Sequence, residues 1–333
     1  MLNYLMRRVL FAIVAVIGVS FVSFLVIELS PGDFVSAYEM RLIQLGGLSA
    51  AEAEKAGEVV RERYGLTGPL HERYFNWAKG IVTQGDFGPA MAYGGKEVTE
   101  LILERLPRTL LVAVLAHAIS SVVGIGIGIY VAPRQYSLAD NTAALAAFFM
   151  TSAPRFALTL IIMYWLVFSM GQQHVSSFFS PEYVLAPWSW AKLVNFVQHI
   201  WPVVLIAGLG GVAANMRIMR GNLLDVLNAQ YVTTARSKGL TESRVMNKHA
   251  VPNALHAIIM YQGTVLPYML QGELEVAIVL SIPTLGPLFY NSIIQKDIYI
   301  TGSLLLIYSV LLVIGNLIAD IGLSILDPRI RYA

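Results

Sequence analysis

The sequence predicts an all-α polytopic membrane protein with six transmembrane helices, and three observations carry that prediction. Hydrophobic residues make up 56% of the 333-residue chain and charged residues 13%, about half the charged share of a soluble domain. Apolar runs long enough to cross a bilayer occur near 9–29, 108–132, 142–170, 200–219, 254–281 and 303–326. Basic residues crowd alternate short loops between them. Each run must be helical, because lipid offers no partner to backbone N–H and C=O groups.

The first element opens MLNYLMRRVL, with Arg7 and Arg8 ahead of an apolar run to Leu29. The run has about the ~20 residues that a span requires. It ends in SPGD (30–33) rather than at a small-residue cleavage site. Residues 1–32 therefore read as an uncleaved first helix. The next segment, 33–107, reads as an extracytoplasmic excursion. It carries the helical charge pattern AEAEKAGEVVRERYGL (51–66), and Tyr64, Leu66, Tyr74, Phe75 and Trp77 give it something to bury. A cap on the bundle and direct contact with a partner are both open to it.

Residues 108–333 read as a five-helix core with a cytoplasmic loop at 220–253. The second helix contains GIGIGIY (124–130). A phosphate-binding loop would follow a strand and open a helix. Glycines inside an apolar span instead let a neighbouring helix approach closely. Pro154 and Pro202 are expected to kink their helices. The chain shows no internal repeat.

With Arg7 and Arg8 inside, the inner segments also hold Arg134, Arg220, Arg236, Lys238, Arg244, Lys248, Arg329 and Arg331. The short outer loops, 171–199 and 282–302, hold only Lys192 and Lys296. This asymmetry predicts cytoplasmic N and C termini.

Several chemistries are excluded. A net charge of +2 does not suggest nucleic acid as a partner. The chain has no cysteine, so it holds no disulfide, thiolate metal site or thiol nucleophile. No HExxH, GxSxG or GxxxxGK[ST] pattern occurs, and GGKEVTE (94–100) lacks both the spacing and the hydroxyl of a P-loop. The chain is thus expected to be no enzyme and to carry no cofactor of its own. Acids in or near the spans are Glu28, Glu273, Glu275 and Asp320, all toward helix ends. Glu273 and Glu275 are the weak candidates for a substrate pathway. Two residues apart on a helix, they point different ways and make no paired-carboxylate site.

The segment YVTTARSKGLTESRVMNKHAVPNAL (231–255) interrupts this apolar chain. Asn222 and Asn228 are candidate caps and Gly239 a candidate stop. Between them Tyr231, Ala235 and Gly239 recur every four residues and share one helical face. Val232 and Arg236 lie on a second face, and Thr234 and Lys238 on a third. That first face has one aromatic knob followed by two positions almost without side chain, so it can enter a groove. A helix this short is not stable alone and needs a docking partner. The other reading of the residues is a loop held near anionic lipid by its charge. A second helical stretch is expected from Thr241 to Pro252.

ARSKG (235–239) followed by RVMNKHAVPNAL (244–255) resembles the cytoplasmic loop of binding-protein-dependent ABC import permeases, and TARSKG is similar to the oligopeptide, dipeptide and nickel branch. YLMRRVL, SPGD, RYGLTGPLHERYFNW, GDFG, RLPRT (105–109), SAPRF (152–156), SIPTLG (281–286) and DPRIR (327–331) resemble that branch in order, over almost the whole chain. Departures stand at Gln230, Thr233, Ala277 and Thr284, where the family often has acids, a glutamate and a glycine.

The resemblance implies a type I ABC importer permease in a bacterial inner membrane. It implies a short coupling helix that meets an ATPase subunit through Tyr231, Thr234, Ala235, Arg236, Lys238 and Gly239. It also implies a second, usually non-identical permease subunit, two ATP-binding subunits that hold ATP and Mg, a solute-binding protein and surrounding lipid. Oligopeptides are the expected cargo. The same machine importing an oligosaccharide, an opine-like conjugate or a metal chelate is the alternative. A self-sufficient secondary carrier is the alternative of another class.

Overall fold

The structure, a computed structural model, describes residues 2–29, 32–172, 175–265 and 271–326. In chain order the helices are α1 (Leu2–Glu28), α2 (Phe34–Gly46), α3 (Ala50–Arg63) and α4 (Leu70–Gln84). A two-stranded antiparallel hairpin follows, β1 (Pro89–Ala90) with β2 (Lys96–Glu97), in the register Pro89 opposite Glu97. Then come α5 (Val98–Val131), α6 (Leu138–Ser152), α7 (Arg155–Tyr164), α8 (Pro181–Val184) and α9 (Trp190–Leu227). The chain continues through α10 (Gln230–Ser237), α11 (Glu242–Val245), α12 (Val251–Val265), α13 (Gln271–Leu280), α14 (Leu285–Ile294) and α15 (Ile298–Leu326). Among the described residues four helices can cross a membrane by length and composition, or up to six if Leu138–Ser152 with Arg155–Ser169, and Glu273–Leu280 with Leu285–Ile294, each count as one span.

Two compact units form, Met1–Arg108 with Pro283–Ile314, and Thr109–Ile282 with Gly315–Ala333. The expected excursion 33–107 falls in the first unit together with the N-terminal helix. The expected assignment of everything after it to one core does not hold, because Pro283–Ile314 joins the first unit. The reason is a shared core: Leu285, Leu288, Ile300 and Leu304 bury against Ala90, Val98, Leu101 and Ile102.

In the first unit the charged 51–66 pattern is helical, as α3. It begins with a reciprocal capping box between Ser49 and Glu52, which satisfies two N-terminal donors. Asp33 caps α2 through the Ser36 N–H at 2.7 Å and pairs with Arg61 at 2.7 Å. Phe24 of α1 buries against Tyr74 and Trp77 of α4, and the Ser20 and Tyr74 hydroxyls meet at 2.8 Å. Phe75, expected to be buried, is 68% exposed on the opposite side of α4.

In the second unit α9 is the central helix, with Val203, Ile206, Met219 and Leu223 fully enclosed. Small residues set the approach of α5 to it. A Cβ on Gly124 would fall 2.5 Å from the Val212 carbonyl oxygen, and one on Gly128 2.7 Å from Met219 Cβ. Gly126, between them, faces open space. The two prolines behave differently. Pro154 stands at a break where α6 and α7 meet at 99°. Pro202 lies inside α9, which is continuous from Trp190 to Leu227. Within the run expected at 254–281 the described residues are helical to Val265, as α12, and from Gln271 to Leu280, as α13. The terminal DPRIR motif, with Arg329 and Arg331, lies outside the described residues, as does the side chain of Asp320.

Candidate partner-docking site

The polar interruption of the sequence becomes a compact turn of three pieces. α9 ends at Leu227 and α10 starts after Ala229, which contributes no side-chain cap. The asparagines expected to cap α10 serve α9 instead. Asn222 Nδ2 donates to the Ile218 carbonyl at 2.8 Å, and Asn228, the C-terminal cap residue of α9, donates to Leu224 at 3.1 Å.

α10 is only eight residues long, and two apolar contacts hold it. Val232 and Ala235, three apart on its inner face, bury against Val245 of α11, with Val226 and Leu240 closing the sides. Ala235 is 6% exposed, so the face expected to carry Tyr231, Ala235 and Gly239 together is not presented outward. An alanine three residues from a valine shares its helical face and is drawn with it into the apolar seam against Val245.

Gly239 closes α10 in a Schellman motif. Its N–H bonds the Arg236 carbonyl at 2.9 Å, and the Leu240 N–H reaches back to Ala235 at 3.4 Å. Its φ of +77° is a conformation that side-chain-bearing residues rarely adopt. A Cβ built there would meet nothing within 4 Å. The glycine is therefore required by the turn, and the space beside it is open.

Arg236 spans the same turn. Its guanidinium donates to both carboxylate oxygens of Glu242, at 3.0 and 2.7 Å. That hydrogen bonding holds the Glu242 carboxyl below its ordinary range and raises Arg236 above its own. Both side chains are substantially exposed, so the pair defines shape more than it stabilises. Glu242 was not among the residues singled out from sequence. Its position six after Arg236, across a glycine stop, is the signal that could have found it.

Among the exposed residues of this turn, Tyr231, 45% exposed, Thr234 and Lys238 fall at helical spacing and form one strip. Thr234 Oγ1 donates back to Gln230 at 2.9 Å, leaving its methyl group and the Lys238 ammonium available.

Beyond the turn, Thr241 opens α11 without a side-chain cap. The helix does not stop at Pro252 as expected. A π turn over Met246–Ala250, with the Val251 N–H bonded to Met246, widens the helix one residue before the proline. That widening makes room for a ring that would otherwise crowd the preceding turn, and the chain runs on as α12.

The weak pathway acids separate as their spacing requires. Glu273 is 1% exposed on α13, whereas Glu275 is exposed. Glu273 is enclosed by the chain and lines no open surface. Among the described residues no cluster of His, Asp and Glu could hold a metal ion.

The model of the binding-protein-dependent transport system inner membrane component family matches residues 124–332, and the model of its N-terminal region matches residues 1–113. The chain belongs to this family. It is the membrane permease component of an ABC importer, a multi-pass protein whose ATP hydrolysis lies in partner subunits. The permease is 33% identical to the oligopeptide transport system permease protein AppB of Bacillus subtilis, over 100% of both chains. It is 30% identical to the probable peptide ABC transporter permease protein y4tP of Sinorhizobium fredii, over 99% of both. With the dipeptide transport system permease protein DppB of Lactococcus lactis it shares 27% identity, over 99% of this chain and 100% of the other. The permease family works in a complex with an ATPase and a binding protein.

Proposed function

We propose that this permease imports oligopeptides delivered by a solute-binding protein, and that α10 is the helix through which ATP drives it. The observation that carries the reading is the exposed strip Tyr231, Thr234 and Lys238 on a short helix anchored from within by Val232, Ala235 and Val245. Such an element is rigid enough to transmit a push and too small to serve as a core. ATP and Mg sit on two partner ATP-binding subunits, and a second, non-identical permease subunit completes the membrane part. The N and C termini face the cytoplasm, which puts the basic 220–253 segment on the side of the ATPases. Gly239 and the Arg236–Glu242 pair hold the turn in shape, and Ala235 acts from inside it. Of the two acids on α13, Glu275 is the exposed one, and contact with cargo is assigned to it here.

Coupling requires contacts that differ between two states of the complex. The test is uptake of labelled oligopeptide into proteoliposomes containing the complete transporter, with Tyr231→Ala and Lys238→Glu together. ATPase subunits should be lost from the purified complex and uptake should fall at least about tenfold. Normal uptake with retained ATPase would refute α10 as the coupling element. Uptake by the permease without ATPase subunits would mark a self-sufficient carrier.

A further inference from the structure

We propose that Arg155 lines the aqueous translocation pathway and receives the carboxylate of the cargo there. The assignment rests on the import reading above and adds a specificity-determining residue to it.

A helix breaks here in a medium that offers its backbone no partner. Counted as one span, α6 and α7 are interrupted at Ala153–Pro154 by a 99° bend. The break lies beside the middle of α9. A Cβ built on Gly210, near the centre of this 38-residue helix, would lie 3.1 Å from a terminal nitrogen of Arg155. The apolar run 200–219 of α9 has the ~20 residues that a span requires, and Gly210 stands at its middle, at the depth of the hydrocarbon layer. Non-helical backbone at such depth is found only where protein buries it or water reaches it. Ser152 and Pro154 are exposed rather than buried, so this chain does not itself cover the break, and water is the partner the proposal assigns to it.

The charge points the same way. An arginine at this depth faces the bundle interior, a counter-ion or a wet cavity. Among the described residues no carboxylate pairs with Arg155. Asp140 is committed to Arg220 and Glu242 to Arg236. The backbone carbonyl of Arg155 is occupied by Thr159 Oγ1 at 2.7 Å, which fixes the first turn of α7 behind the guanidinium. The geometry is a cation held on a rigid turn, against the close-packing Gly210, at the mouth of a break that needs water. A peptide brings a carboxylate at its C-terminus, and a guanidinium binds a carboxylate through two parallel hydrogen bonds.

Two measurements on the complete transporter test this. The first uses the absence of cysteine from the chain. In native membranes Arg155→Cys should react with a membrane-impermeant sulfonate thiol reagent far faster than Ile161→Cys, on the 64% exposed side of the same helix. Ser152→Cys serves if Arg155→Cys does not accumulate. Equally slow labelling would place the break against lipid or inside protein and overturn the proposal. The second compares uptake of trialanine with that of trialanine amide. Arg155→Gln should reduce the free acid roughly tenfold and leave the amide unchanged, with Arg155→Lys between. Equal loss of both peptides would mean a structural role or pairing with another subunit, and would overturn the carboxylate assignment. If the wild type imports neither, the peptide reading fails together with that assignment, while the labelling result still decides whether Arg155 faces water.

Discussion

Arg220 grips Asp140 with both ends of its guanidinium, Nε and Nη2 lying 2.5 and 2.7 Å from the two carboxylate oxygens. Asp140 sits in the first turn of α6 and Arg220 two turns before the end of α9. The same carboxylate accepts the N–H of Tyr136, a residue held at a φ of +62°. One acid therefore fixes the α5–α6 turn and fastens it to the helix that leads into α10.

Breaking this pair should destabilise the permease measurably. Asp140 is 3% exposed and Arg220 27% at the side chain, so the roughly 3–5 kcal/mol found for severing a buried pair is an upper bound here. Asp140→Asn should lower the melting temperature in detergent by several degrees. Asp140→Asn combined with Arg220→Gln should cost less than the two single changes added together, because each single change strands a charge and the double change strands none. Strict additivity would show that the two side chains do not act as a pair.

The pairing could not have been read from the chain, since eighty residues separate its members and one sequence carries no record of contact. Local features were legible. The GIGIGIY run announced close packing, and α3 announced itself through the charged helical pattern at 51–66. The prolines show the limit of such reading. Pro154 and Pro202 give the same signal, yet one stands at a broken span and the other lies within a continuous helix. Ala235 shows another limit: a four-residue spacing put it on an outer face, but burial is decided by what lies opposite, and Val245 was not visible as its partner. The return of 283–314 to the N-terminal unit is likewise a tertiary outcome, fixed by the cluster around Leu285 and Leu304.

The glycines of α5 should be unequal in their tolerance. Gly128→Val forces a side chain into Met219 Cβ and the Met216 carbonyl, both within 3 Å of the new Cβ. Overpacking of this kind costs about 1–3 kcal/mol, and the backbone oxygen leaves little room for relief. Gly126→Ala meets open space and should leave melting unchanged within error. Comparable losses at both positions would mean that α5 does not approach α9 through Gly124 and Gly128.

Asp297 gives the first unit a pH dependence of defined sign. It is fully buried, and its carboxyl accepts the N–H groups of Ala92 at 2.8 Å and Ile300 at 3.1 Å. Burial outweighs these donors and pushes the group up to about 6. A carboxyl raised in the folded state favours the proton there. Its contribution to stability is full below 3.8, its ordinary value, and is lost as pH rises through that value to about 6. Thermal unfolding in detergent should therefore occur at higher temperature at pH 5 than at pH 7.5. Asp297→Asn should flatten this window while lowering stability throughout, because an amide has one acceptor oxygen for two donors. A wild-type protein that loses stability steadily between pH 7.5 and 5 would contradict the assignment.

Gly239 separates the shape of the turn from its contact with a partner. Leucine at a φ of +77° carries a strain of roughly 1–2 kcal/mol, enough to loosen a Schellman turn on an eight-residue helix. Asparagine tolerates that conformation, and nothing within 4 Å opposes its Cβ. Hydrogen exchange should then distinguish the variants. Gly239→Leu should expose the amides of Gly239 and Leu240, and Gly239→Asn should keep them protected. If the open space beside the glycine receives a partner ATPase subunit, both variants should lose ATP-driven uptake, the asparagine variant with its turn intact. If Gly239→Asn transports normally, the glycine serves only the backbone, and the docking surface reduces to Tyr231, Thr234 and Lys238.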